Sequence, residues 1–373
     1  MSEKEILQTH VNLIIYMKIS IYPIVVGVLL VFCSCSKLNH EYTIAFDNKV
    51  VIEEFPIVEK CDSGEIVDFN TIGNREIKII DSIAVLSTAA NKGAWKVVSL
   101  THYSVLGEMI DAGNAPHELT VIPMLSQASF LLQNNRTILS VPDNMTHRWH
   151  NIDLEKVISG QQDYDSITPD YDIDNFTIYK GLYHDNIEYK ITVNPAEGNI
   201  IRHIATNNQA VSSTNLEWLN HFSVDKPEKL GLLMPTVALS PSRKMIAEVY
   251  NLYPQINIYS ISDNRATTIT QYGKIADYKK YLGKSSETPQ PIYRGVRGYE
   301  DFFVVNKIGE NESTELQFFD WDGNPLVAVT IPSTVTSFDI NFNSGTLLTV
   351  DFTKDIIKKY DISHILSQLN FHD

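Results

Sequence analysis

From residue 41 onward, apolar and polar side chains alternate in short runs, the period-two pattern of half-buried strands. Residues 77–86 and 95–100 show it, and similar runs recur at 130–132, 187–193, 244–261, 302–308, 316–319, 326–331 and 346–352. Between them stand turn formers: Asn134-Asn135, Glu197-Gly198-Asn199, Ser262-Asp263-Asn264, Asp322-Gly323-Asn324 and Asn343-Ser344-Gly345. Such residues supply the positive φ that tight hairpins need. Hairpins join antiparallel neighbours, and helical periodicity is almost absent. An all-β chain is therefore predicted.

A unit of strand, hairpin, strand and short exit recurs at a spacing of roughly 40 to 60 residues, that of propeller blades. The clearest copy spans residues 336–362 and offers an inner, a central and an outer strand ending in Tyr-Asp-Ile. Residues 256–261, 316–321 and 148–154 take the outer-strand role in other copies. Units starting near Cys61, Ala115, Asp172, Gly231, Pro291 and Ser333 predict a six-bladed β-propeller of four-stranded antiparallel blades. Residues 41–58 are strand-like without a local partner, and are expected to complete the last blade and close the ring. A two-sheet sandwich would explain the alternation but not the repeated strand-exit phrase. Radial stacking leaves only short, protected strand edges, which gives closure a physical motive.

Two motifs carry a family resemblance. Val237-Ala-Leu-Ser-Pro-Ser-Arg-Lys-Met-Ile-Ala247 resembles the Ser-Pro-Asp-Gly-Lys blade motif of TolB-like propellers, with Ser242 and Arg243 in place of Asp and Gly. Gly113-Asn-Ala-Pro-His-Glu-Leu119 resembles the Gly-x-Gly-Pro-x-Glu-Phe turn of six-bladed propeller lipoproteins from Bacteroides-type bacteria, with Ala115 at the second Gly. Tyr293-Arg-Gly295 enters a blade in the same style. The resemblance spans most of residues 41–373. It implies a six-bladed propeller of largely unassigned role, and it brings no catalytic set.

The start of the chain predicts an address. Lys18 precedes an apolar run from Ile19 to Phe32, and the small Ser34 stands just before Cys35, the layout of a cleavable lipoprotein signal. Cys35 is preferred to Cys33 because Phe32 would occupy the position that needs a small side chain. A membrane-spanning helix wants roughly 20 apolar residues, and Lys18 and Pro23 interrupt any lengthening of this run. Residues 17–34 are thus expected to be a signal peptide, 1–16 a mis-assigned leader before a true start at Met17, and 35–40 a short tether. Lipid on Cys35 would anchor the protein, since two or three acyl chains hold where one does not. Ser36 lacks the Asp that resembles an inner-membrane retention signal, and residues 37–41 lack an acidic surface-export cluster. The expected location is the outer membrane, facing the periplasm.

Charge and chemistry narrow the rest. A net charge of −15 excludes nucleic acid as a partner, because that affinity comes mainly from Lys and Arg neutralising phosphates. Cys61 is the only other cysteine and reads as a part-buried structural thiol. His147 and His150 are three apart, a helix spacing for a metal, but on a strand they face opposite sides, so no metal is assigned. Residues 163–174 resemble a calcium loop, yet Asn175 and Gly181 fall where that loop needs Gly and Glu; a solvated interblade loop is expected. No nucleophile elbow, phosphate loop or zinc-protease helix is present, and no cofactor is expected. Asp81-Ser82-Ile83 and Asp165-Ser166-Ile167 resemble the short O-glycosylation acceptor of Bacteroides-type bacteria. Ser166 is the expected acceptor, because Ser82 falls inside a predicted strand. Trp149, His150, Tyr293, Arg294 and Arg297 are candidates for a loop rim that takes an envelope protein, a glycan or a peptide. The function read here is noncatalytic binding or scaffolding. The alternative is a glycan- or ester-cleaving propeller enzyme using channel carboxylates.

Overall fold

Apolar runs become hairpins wherever two residues can reverse the chain. Residues 77–86 are one such case: Ile80 pairs with Ile83, so the run is two strands joined at Asp81-Ser82, with Asp81 at φ 51°. Asn134 and Asn135 do the same between the paired Gln133 and Arg136, at φ 51° and 62°. In the computed structural model of the protein, the described residues are 43–369 except 144, 147, 170–176, 185–186, 207–208, 241, 243, 272, 274, 276 and 282–290. The signal peptide, Cys35, His147 and Asp170 to Asp174 lie outside them.

Six sheets follow one another along the chain, and together they form a six-bladed β-propeller of four-stranded antiparallel blades. Their first, innermost strands are Asn74–Ile80, Ser129–Gln133, Thr177–His184, Pro235–Leu239, Tyr293–Gly298 and Ser337–Asn341. We number the blades one to six in this order. Inner strands of neighbouring blades touch, six to one and four to five among them. Apolar cores fill the spaces between blades: Val85, Trp95 and Leu139 between one and two, Ile258 and Phe303 between four and five, Phe318 and Leu347 between five and six, and Ile77 and Val350 between six and one.

The strands ending in the Tyr-Asp-Ile-like phrase are third strands, not outer ones. Arg148–Asp153, Gln255–Ser260, Thr314–Asp320 and Ile356–Asp361 each carry a further neighbour on their outer side. Third strands are flanked by strand on both edges, and Gln255–Ser260 is buried along its whole length, so their apolar content is conspicuous. The fourth strands, such as Ala266–Gln271, are more polar and escape notice.

Ring closure also differs from the expectation. Residues 41–58 do not complete blade six. Instead, the early chain breaks at Pro56 and a polar turn into three short strands. Lys49–Ile52 runs parallel to Ala266–Gln271 as a fifth strand of blade four, and Val58–Lys60 runs parallel to Pro325–Ile331 as a fifth strand of blade five. Only Glu65–Val67 pairs with Ile356–Asp361, antiparallel, to complete blade six. The chain then enters blade one at Asn74.

Candidate functional site

The five rim candidates lie within two strands, one of blade two and one of blade five. Trp149 and His150 belong to the third strand of blade two and are buried. The Trp149 indole donates to Glu188 Oε1 at 2.9 Å, and His150 Nδ1 lies 2.8 Å from Asp165 Oδ2. Exposed His117 shares that oxygen at 3.0 Å. Tyr293 is 1% exposed in the core between blades four and five, where burial, aided by Glu315, pushes its hydroxyl pKa up. A single strand, Tyr293–Gly298, holds both arginines, but it is the inner strand of blade five, so they face the propeller axis. Asp165–Pro169 is the outer strand of blade two rather than part of a loop. Ser166 is exposed there, with a weak 3.4 Å bond to Asn151 O, while Ser82 is exposed at a hairpin tip. Both hydroxyls are therefore accessible.

Polar residues on the inner strands converge on the axis. A cavity of about 530 Å³ is lined by the inner strands of blades one, two, four, five and six, with Asp81 and Asn343 on exposed turns at its edge. A smaller space of about 80 Å³ continues beyond it, toward the 3-10 turn Leu125–Gln127. Arg297 and Ser126 line both, so they mark the boundary between the two. Gly298 allows the inner strands of blades four and five to approach: a Cβ there would stand 2.7 Å from the Leu239 carbonyl oxygen.

The charged groups of this wall act first on exposed main chain. An inner strand has no partner on its axial side, so its N–H and C=O groups need other hydrogen bonds. Arg297 donates from Nε to Phe338 O at 3.1 Å and from Nη2 to Ile77 O at 2.8 Å, which ties blade five to six and to one. Arg294 donates to Val335 O at 3.2 Å, and Lys78 donates to Ala128 O of the segment entering blade two. The carboxylates accept: Asp339 takes Ile79 N–H, Ile340 N–H and the Tyr299 hydroxyl at 2.7 to 2.9 Å, and Glu76 takes Leu125 N–H and Ser126 N–H. Burial pushes the Tyr299 hydroxyl pKa well up, and Asp339 adds to this. Burial lowers the Lys78 ammonium to about 7, with Arg297 contributing, while Asp339 and Glu76 oppose the shift.

Lys78, Glu76 and Asp339 were not among the sequence candidates. Their signal was present as charged positions alternating with isoleucine or phenylalanine in Glu-Ile-Lys-Ile and Ser-Phe-Asp-Ile-Asn. On an inner strand, that alternation separates the core from the channel.

A larger groove of about 780 Å³ lies on the seam between blades six and one, lined by Glu59, Asp62, Glu65, Tyr103 and Lys359 among others. Cys61 lines it too. Burial and the neighbouring Asp62 and Glu59 push its thiol up to about 11, so it is not a thiolate nucleophile near neutral pH. Among the described residues, no group of three His, Cys, Asp or Glu side chains could hold a metal ion, and no helix is long and apolar enough to cross a membrane.

No family model matches the chain, and no curated protein matches it. Among solved structures, a protein of Bacteroides fragilis described as exported aligns at 11% identity and a TM-score of 0.47, over 80% of this chain and 88% of that one. Regucalcin of Agrobacterium tumefaciens, described as calcium-binding, aligns at 11% identity and a TM-score of 0.45, over 82% and 95%. Raptor of Chaetomium thermophilum aligns at 10% identity and 0.45, over 82% of this chain and 29% of its own. The fold assignment rests on the six-sheet topology of the chain itself.

Proposed function

We propose that the chain is a lipid-anchored envelope protein of the TolB-like kind, whose propeller binds a small glycan or peptide ligand in the axial cavity without turning it over. The observation that carries the binding reading is the cavity. Its volume of about 530 Å³ falls in the range of small-molecule sites, roughly 300 to 1,000 Å³. Aromatic Phe130, Tyr299 and Phe342 share its lining with Asn341 and Asn343. Such a mixture offers both apolar contact and hydrogen bonds. The noncatalytic part is supported by Asp339, whose two carboxylate oxygens are engaged by main-chain N–H groups and Tyr299. A carboxylate so occupied is a poor proton carrier.

The anchor reading is supported by the Ser34-Cys35 junction. Replacing Cys35→Ala is expected to move the protein from the membrane fraction to the soluble one and to abolish incorporation of an alkyne fatty acid. Retention in the membrane without label would reject it. For the cavity, calorimetric titration with panels of glycans and peptides is expected to show saturable heat without a product by mass spectrometry. Asn343 is exposed at the cavity edge, so Asn343→Trp should block binding and leave Tm unchanged. Turnover of any panel member that is lost in Asp339→Asn would replace this reading with the enzyme alternative.

A further inference from the structure

We infer that the inner end of the axial cavity is an anion site, in which Lys78 and Arg297 hold a carboxylate or phosphate group of the bound ligand. This deepens, and rests on, the reading of the cavity as the binding site. Lys78 comes from blade one and Arg297 from blade five, and both are half-buried where they line the same space.

Neither cation stands in a direct ion pair among the described residues, although Asp339 and Glu76 act on Lys78 from farther away. No carboxylate of the described residues stands within 4.0 Å of either nitrogen group. Lys78 reaches only the Ala128 carbonyl and lies 5.6 Å from the centre of the Phe130 ring. Arg297 uses Nε and Nη2 on carbonyl oxygens, which leaves Nη1 without a partner among the described residues. The nearby acids are committed elsewhere: Asp339 to Ile79 N–H, Ile340 N–H and Tyr299, and Glu76 to Leu125 N–H and Ser126 N–H. Proteins remove charge from water when it is paired. Two like charges partly desolvated in one cavity, each with spare donors, form an arrangement that a bound anion would complete.

Proton linkage gives an independent signature. Burial and Arg297 lower the Lys78 ammonium to about 7, with Asp339 and Glu76 opposing; Asp81 is the other charged group at the cavity lining. A bound anion favours the protonated amine and raises its pKa. Binding should therefore take up a proton above pH 7, and affinity should fall as pH rises from 7 until it passes the bound-state pKa.

The test uses the whole protein with four probes: inorganic phosphate, glucose 6-phosphate, glucuronate and methyl glucoside. Calorimetry in buffers of different ionisation heat reads affinity and proton uptake together. At least one acidic sugar is expected to bind tenfold or more tighter than the neutral glucoside, with proton uptake at pH 8, and to lose about tenfold in Lys78→Met. Preference for glucose 6-phosphate or for glucuronate identifies the anion, and binding of phosphate alone would show that the sugar is dispensable. Equal binding of acidic and neutral sugars overturns the inference and leaves the cavity reading intact. No binding by any probe, together with a silent glycan and peptide panel, overturns both. Should Lys78→Met fail to fold, absence of proton uptake in the unmodified protein is itself sufficient to reject the anion site.

Discussion

Glu248 is fully buried between blades three and four, and four side chains converge on it. Arg202 donates from Nε to Oε1 at 2.6 Å and from Nη2 to Oε2 at 2.9 Å, while Tyr189 and Tyr259 reach Oε1 at 2.8 Å and Tyr250 reaches Oε2 at 2.9 Å. Burial alone would raise the carboxyl pKa, but the Arg202 charge and these hydrogen bonds reverse it and hold the group ionised. At this junction the register between two neighbouring blades is set by directional bonds as well as by shape, as it is where the Trp149 indole meets Glu188 between blades two and three. Removing one partner leaves a buried charge alone. Glu248→Ala should cost about 3 to 5 kcal/mol in urea unfolding, whereas the double change Glu248→Leu with Arg202→Met should recover only part of that loss, because the hydroxyls of Tyr189, Tyr250 and Tyr259 lose their acceptor. Nothing in the sequence pattern pointed to this network. Tyr189, Arg202 and Glu248 lie far apart in the chain, and each merely occupies one slot of an ordinary alternating strand. The same limit explains the arginines: Arg294 and Arg297 were legible as candidates for a binding surface, but a one-dimensional pattern does not say whether a strand lies at the axis or beside a rim.

At the scale of elements, the turns were the most readable feature and the early strands the least. Asn134-Asn135 fixes its hairpin by its own backbone preference, which is local information. The strands Lys49–Ile52 and Val58–Lys60 are three or four residues long and gain their form only from the blades they join. Asn257 Nδ2 donates to Ile44 O at 2.9 Å, Phe46 N donates to Thr268 Oγ1 at 2.7 Å, and the Phe46 ring meets Tyr259 edge-on at 6.0 Å. Ile44, Phe46 and Ile52 are buried by this docking, at roughly 1.5 to 3 kcal/mol for each side chain. Deleting residues 43–60 should therefore lower Tm by about 10 °C or more, given about 2 to 4 °C per kcal/mol in a domain of this size. It would also uncover the edges of two sheets, so size-exclusion chromatography should show self-association. A monomer of unchanged Tm would mean that these strands are decoration.

For the whole molecule, the weak point of a propeller is where its last blade meets its first. Here Asp355, in a turn of blade six at φ 51°, accepts Gly73 N–H and Asn74 N–H at 2.8 Å and the Asn74 side-chain amide at 2.9 Å. The Gly73 bond, then those of Asn74, hold its carboxyl below the usual aspartate range. A depressed folded-state pKa stabilises above the unfolded value of about 3.9 and ceases to do so as pH falls through the folded value. Asp355→Asn should thus cost about 1 kcal/mol at neutral pH, after solvent screening. Its Tm curve should converge on that of the unmodified protein below about pH 4, a trend that scanning calorimetry across pH would follow. Six-fold repetition was legible because each blade repeats the same hairpin grammar; the manner of closure was not, because it joins segments from opposite ends of the chain. That join also governs how the protein can be made. The outer strand of blade six, Glu65–Val67, is synthesised well before its partner Ile356–Asp361. Blades four and five likewise receive their fifth strands from the beginning of the chain. A nascent polypeptide can assemble individual hairpins as they emerge, but the early strands must wait, unpaired, until blades four, five and six have been made. The ring is therefore an all-or-nothing object in time as well as in space, and a truncated product lacking blade six has no partly closed state to settle into.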